Sequence, residues 1–283
     1  MKKTRKATNS SEQLISLSSE LAGAAIAGAL GFLSGSPAIA AGAGIVGVTI
    51  AKSANILLTD IANRQLSRRE EIKVGAAAAF ALDKIQKRLE SGEQPRDDYF
   101  FSKDSTNHSD AEEILEGVLQ KSKNEHEEKK IRLLGNFYAT LVFSKGISIG
   151  EANYLLQLVE SLTYRQICVL AILLVKPEFS EVINLRTTSY AKTEELPFET
   201  YSLLQEILDM ISRGLIRLNS ANNKTFISNP NINLLIPNQL VLTAMGERLI
   251  STLSVTDIIT DKNNKFPEDF QVILEHLSQK KDA

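Results

Sequence analysis

The sequence predicts a mainly α-helical protein with a small β element near its C-terminal end. Three observations carry this. Trp is absent and strand-type runs of β-branched and aromatic residues are few. Capping boxes of the Ser/Thr-x-x-Glu/Gln type recur, at Ser67–Glu70, Ser148–Glu151 and Thr163–Gln166. Behind them the apolar residues keep a helical period, as in Ile72, Ala76, Phe80, Leu82, Ile85 and Leu89.

Composition narrows the function classes. With 283 residues, 43% hydrophobic and 23% charged, the chain has the make-up of a globular protein with a sizeable core. A net charge of −2 supplies no bulk basic field for holding nucleic acid. Cys168 is the single cysteine, which excludes an internal disulfide and suits a reducing compartment. Three regions are expected: an apolar hairpin at 1–62, a helical middle at 63–145 and a C-terminal module at 146–283.

The apolar hairpin is the most distinctive segment. Leu21–Ala51 contains no charged residue and is dominated by Ala and Gly. Ser34, Gly35, Ser36 and Pro37 form a turn signal dividing it into two helical arms. With their flanks the arms run Leu14–Leu33 and Ala38–Leu58, each about the 20 residues that cross a bilayer core. Large apolar side chains contribute roughly −0.3 to −0.6 kcal/mol each to insertion, against about 2.5–3.5 kcal/mol for a central charge. Glu20 and Lys52 therefore oppose most of the gain, and insertion is expected near balance. Small residues recur every fourth position, at Gly23, Ala27, Gly31 and Gly35, then Ala43, Gly47 and Ala51. Such a ladder lets helix backbones approach closely and marks these seven as the candidate membrane or helix-packing residues. Lys2, Lys3, Arg5 and Lys6 precede the first arm; Arg64, Arg68, Arg69 and Lys73 follow the second. Basic flanks on both sides put both ends of a two-pass hairpin in the cytoplasm.

Other readings fit the same segment. It also suits a soluble Ala/Gly hairpin within a helical core or an oligomer interface. A secretory signal peptide is a third reading, since Ala38–Ala40 has the A-x-A form, although Glu20 and a long N-terminal region oppose it. Gly42, Gly44 and Gly47 match the G-x-G-x-x-G spacing of a dinucleotide site. That chemistry needs a strand immediately upstream, where the Ser34–Pro37 turn stands, so no cofactor is expected.

In the helical middle, the Ser67 box opens a helix stopping at Gly92. The polar loop after it, with Tyr99, Phe100 and Phe101 as an anchor, is the best linker candidate. A second helix starts near Asp110, and the charged stretch Glu125–Lys130 leads into a third. His126 lacks a second His one turn away, and His108 and His276 are isolated, so no metal site is expected. No nucleophile–base pair or carboxylate constellation stands out, and no enzymatic activity is expected.

In the C-terminal module the Thr163 box opens an apolar helix that Pro177 ends, and Cys168 on it reads as a core residue. The next helix, Phe198–Arg213, closes on Gly214 as a left-handed cap. Leu215–Leu218, a turn at Ala221–Lys224 and Thr225–Ser228 read as a small hairpin. Gln239–Leu242 and a helix capped by Thr243 follow. Helix, helix, hairpin, helix is the order of a winged helix. Most such modules bind DNA, but residues 163–254 carry as many acidic as basic side chains. The groove-entering helix would bring Glu199, Glu206 and Asp209 against Arg213, with Gln205 as its one amide. Protein docking fits that charge pattern better, with nucleic acid as the secondary reading.

Short motifs add a resemblance. Leu133–Ala139 (LLGNFYA), Leu162–Tyr164 (LTY), Ile211–Ile216 (ISRGLI) and Leu242–Gly246 (LTAMG) look like the pattern of abortive-infection alpha (Abi-alpha) proteins, over about residues 120–254. The family's usual Trp is missing here. The resemblance implies a role in bacterial antiphage defence and brings no catalytic residues. The expectation is a defence effector or accessory protein at the bacterial inner membrane, the bulk of the chain cytoplasmic. It acts through the Gly-rich hairpin, with a protein partner or a homo-oligomer, under control of a protein-binding winged-helix-like module. The alternative is a soluble, cytoplasmic, oligomeric DNA-binding regulator.

Overall fold

The computed structural model describes residues 56, 59–60, 66–105, 108–179, 183–190, 196–219, 231–259 and 266–278. The ladder residues Gly23, Ala27, Gly31, Gly35, Ala43, Gly47 and Ala51 lie outside them. The chain is mainly helical and forms two compact units, Met1–Ser161 and Leu162–Ala283.

Four helices build the described part of the N-terminal unit: α1 (Arg68–Glu90), α2 (Asp110–Asn124), α3 (Glu128–Phe143) and α4 (Ile149–Ser161). The α1 capping box forms as its sequence predicts. Ser67 N–H donates to Glu70 Oε2 at 2.8 Å, and Glu70 N–H donates to Ser67 Oγ at 3.4 Å. Gly92, at φ +87°, ends α1, with Glu93 N–H donating to the Arg88 carbonyl and Gly92 N–H to that of Leu89. A second box, Ser109 with Glu112, opens α2.

The core of this unit is the α1–α3 contact. Ala76–Ala81 of α1 are buried. Gly135 of α3 lies so close that a Cβ there would stand 2.5 Å from the Ala77 carbonyl oxygen and 2.8 Å from Phe80 Cβ. Small side chains bring the two backbones together, and Ile85, Leu133, Leu134 and Phe137 fill the space around them.

Two expectations about organisation change. The polar loop after Gly92 is not a boundary; it is fastened within the unit. Buried Arg96 donates to the Ile147 carbonyl at 3.1 Å, and its guanidinium lies 4.3 Å from the Phe100 ring centroid. Phe100 is the anchor, whereas Tyr99 is exposed. The division at 145/146 also moves, to between Ser161 and Leu162. The reason is α4: Leu155, Leu156, Leu158 and Val159 are buried, and Leu156 Cδ2 comes within 3.1 Å of where a Gly117 Cβ on α2 would stand. That apolar face binds α4 to the helical middle.

The C-terminal unit runs α5 (Tyr164–Val175), α6 (Phe198–Ser212), β1 (Ile216–Leu218), β2 (Leu240–Leu242), α7 (Ala244–Thr252), α8 (Thr256–Ile259) and α9 (Glu268–Leu277), with 3-10 turns at Ile232–Leu234 and Pro237–Gln239. α5 is almost wholly buried, Cys168 included, and α7, α9 and β2 pack on it. The Thr163 box holds its first turn. Gly214, at φ +70°, ends α6, with Leu215 N–H donating to Met210 O at 2.9 Å and Gly214 N–H to Ile211 O at 3.0 Å.

The strand pairing differs from the expected hairpin. β1 pairs antiparallel with β2, in the register Ile216↔Leu242, Arg217↔Val241 and Leu218↔Leu240. Thr225–Ser228, the expected partner, lies outside the described residues. The helix α9 also closes the unit beyond the last helix expected from Thr243. It buries Phe270, Ile273 and Leu277, and Arg186 N–H donates to the Leu277 carbonyl at 2.8 Å.

Candidate protein-docking site

The motifs behind the resemblance sit at close contacts inside each unit. LLGNFYA carries Gly135, where α1 touches α3. In LTAMG, Thr243 N–H and Oγ1–H donate to the Leu215 and Gly214 carbonyls at 3.0 and 2.5 Å. A Cβ on Gly246 would run into the same Leu215 carbonyl. ISRGLI supplies that Leu215, so the two motifs meet where β1, β2 and α7 join. They are architecture.

The surface of α6 is where chemistry is left over. Thr200, Leu203, Leu204, Ile207 and Met210 form its buried stripe. The opposite stripe begins with Phe198, 82% exposed, and continues with Tyr201, 46% exposed, and Gln205. Gln205 Nε2 donates to the Tyr201 hydroxyl at 3.4 Å, steadying the ring. The 3-10 turn Ile232–Leu234 packs on α6 and exposes Leu234 by 56%.

Charge around this stripe is acidic. No Lys or Arg lies within α6, which carries Glu199, Glu206 and Asp209. The nearest cations are engaged. Arg165 bonds both carboxylate oxygens of Glu206 and donates to Ser202 Oγ at 2.9 Å; that carboxylate holds the guanidinium above its ordinary pKa. Arg213 Nε meets Asp209 Oδ2 at 2.9 Å, and Gln166 Nε2 donates to that same oxygen at 3.1 Å. Glu199 is left with a 78% exposed side chain, 3.7 Å from His276 Nε2. His276 Nδ1 lies 2.9 Å from Thr200 Oγ1. Such a face suits an apolar and cationic surface, not a polyanion.

The N-terminal unit holds a buried ion pair that sequence reasoning missed. Among the described residues, Glu125, His126 and Glu127 bring metal-type ligand atoms within 4.8 Å of one another. The Glu125 carboxylate is already engaged. Lys130 Nζ stands 2.6 Å from Oε2, and the His126 and Glu127 amides donate to Oε1 at 2.8 and 3.0 Å. Burial pushes its pKa up, but the bonds from Lys130 and the two amides outweigh that and hold it below the ordinary value. Lys130 also donates to the Glu160 carbonyl at 3.1 Å, and Lys73 Nζ to the Glu125 carbonyl at 2.7 Å. The group works as a clasp joining α1 and α4 to the α2–α3 turn. Its sequence signal, acid and base five apart around a helix start, is too common to find by reading alone.

Among the described residues no single helix is long and apolar enough to cross a membrane. No family model, curated protein or solved structure matches the chain.

Proposed function

We propose that this chain is a bacterial antiphage protein of the abortive-infection type, acting at the inner membrane through its Gly-rich hairpin and governed by a winged-helix-like module that docks on protein. The observation carrying the control half is the exposed stripe of α6. An element that reads DNA brings Arg, Lys, Asn or Gln to phosphates and base edges. This stripe instead offers Phe198 and Tyr201 beside carboxylates. The helix–helix–strand–strand–helix order from Tyr164 to Thr252 supports the winged-helix likeness. The membrane half is supported by the uncharged Leu21–Ala51 segment with its small-residue ladder and basic flanks. The defence role is supported by the Abi-alpha-like motifs.

Two measurements test the reading. Full-length protein is titrated with duplex DNA at physiological salt, where only weak non-specific binding, about 10⁻⁴–10⁻⁶ M, is expected. A nanomolar, sequence-selective complex replaces the proposal with the soluble regulator. Cells challenged with phage are fractionated. A chain that stays in the soluble fraction throughout removes the membrane half.

A further inference from the structure

We infer that the α6 face docks a cationic amphipathic helix of a partner protein, an inference that rests on the protein-docking reading above. Its apolar part comes from Phe198 and Tyr201, one turn apart on the exposed stripe, with Leu234 on the adjoining 3-10 turn. Aromatic side chains of this kind, largely free of cover, are what anchors an interface core. Its sign comes from two packed helices. α6 and α9 contribute Glu199, Glu206, Asp209, Glu268, Asp269 and Glu275, and neither helix contains a Lys or Arg. The neighbouring Arg165 and Arg213 offset Glu206 and Asp209 alone. The remaining carboxylates surround the apolar stripe with negative charge, which attracts a helix carrying Lys or Arg beside an apolar stripe of its own. An acidic helix, an anionic lipid surface and DNA are all repelled by the same charges.

The test uses full-length protein and two labelled helical peptides with one leucine pattern, their polar positions filled by lysine in one and glutamate in the other. Anisotropy is read at low and physiological salt. The lysine peptide should bind, more weakly as salt rises, and the glutamate peptide should not. Phe198→Ser with Tyr201→Ser should weaken the lysine peptide by about tenfold or more with the helical spectrum unchanged. Glu199→Gln should weaken it less and flatten the salt dependence. Lysine-peptide binding indifferent to the Phe198 and Tyr201 changes overturns the inference, as does failure of both peptides to bind. A glutamate peptide binding through Phe198 and Tyr201 overturns the cationic partner while leaving protein docking standing. Tight duplex DNA binding through those residues overturns both.

Discussion

Gly135 is the residue on which the N-terminal unit turns. An added methyl meets the backbone of α1 at Ala77, which has no rotamer through which to yield, so Gly135→Ala must part α1 from α3. Overpacking of this kind costs about 1–3 kcal/mol, and chemical denaturation should show that loss. Gly150, with open space around its Cβ position, is the control. Its alanine variant should be neutral or slightly stabilising, since alanine is the better helix former. Tyr138 makes the opposite case. Its ring is buried in α3 and its hydroxyl has no hydrogen-bond partner among the described residues; burial pushes the phenol well above its ordinary pKa. Tyr138→Phe keeps the packing and removes a desolvated polar atom. Stability should hold or rise, by up to about 1 kcal/mol. A loss of more than that in denaturation would mean that the hydroxyl has a use.

At the scale of elements, helix ends and helix contacts are separate problems. Each capping box forms from residues three apart, which is why Ser67 and Thr163 read correctly from the chain alone. Ser109 with Glu112 follows the same rule and was legible in the same way. The α2–α3 turn is different, because the Glu125–Lys130 pair matters only once α1 and α4 close over it. Lys130→Met leaves the Glu125 carboxylate buried without its cation, and should cost about 3–5 kcal/mol. A pH titration checks the same pair. The folded pKa of Glu125 lies below its ordinary value of 4.5. Its contribution is therefore complete above pH 4.5 and disappears as pH falls through the lower, folded value. Glu125→Gln should flatten that acid limb when stability is followed by denaturation at each pH. An unchanged acid limb would show that other carboxylates set it.

For the whole molecule, the decisive experiment lies in the hairpin. Replacing Gly31 and Gly47 with Leu makes both arms more apolar while blocking close approach on the small-residue face. If activity needs only insertion, phage protection should persist or strengthen; if it needs close helix contact, protection should disappear with the rest of the protein folded. We expect loss of protection, read in plaque assays beside membrane fractionation.

The helical class, the starts of α1 and α5, the Gly92 and Gly214 stops and the acidic character of α6 were determined by the sequence alone. Each depends on neighbours within a turn or two, or on composition. The tertiary structure decided the rest. It moved the unit boundary past α4, paired Ile216–Leu218 with Leu240–Leu242, and set α9 against α5 and α6. The α9 pattern, Phe270, Ile273 and Leu277 behind Pro267, was visible in the chain, but the surface awaiting it was not. Gly135 and Gly246 became contact points only when another backbone arrived. Local hydrogen bonding selects a helix and its ends, whereas which faces meet is set by burying apolar area between segments far apart in the chain.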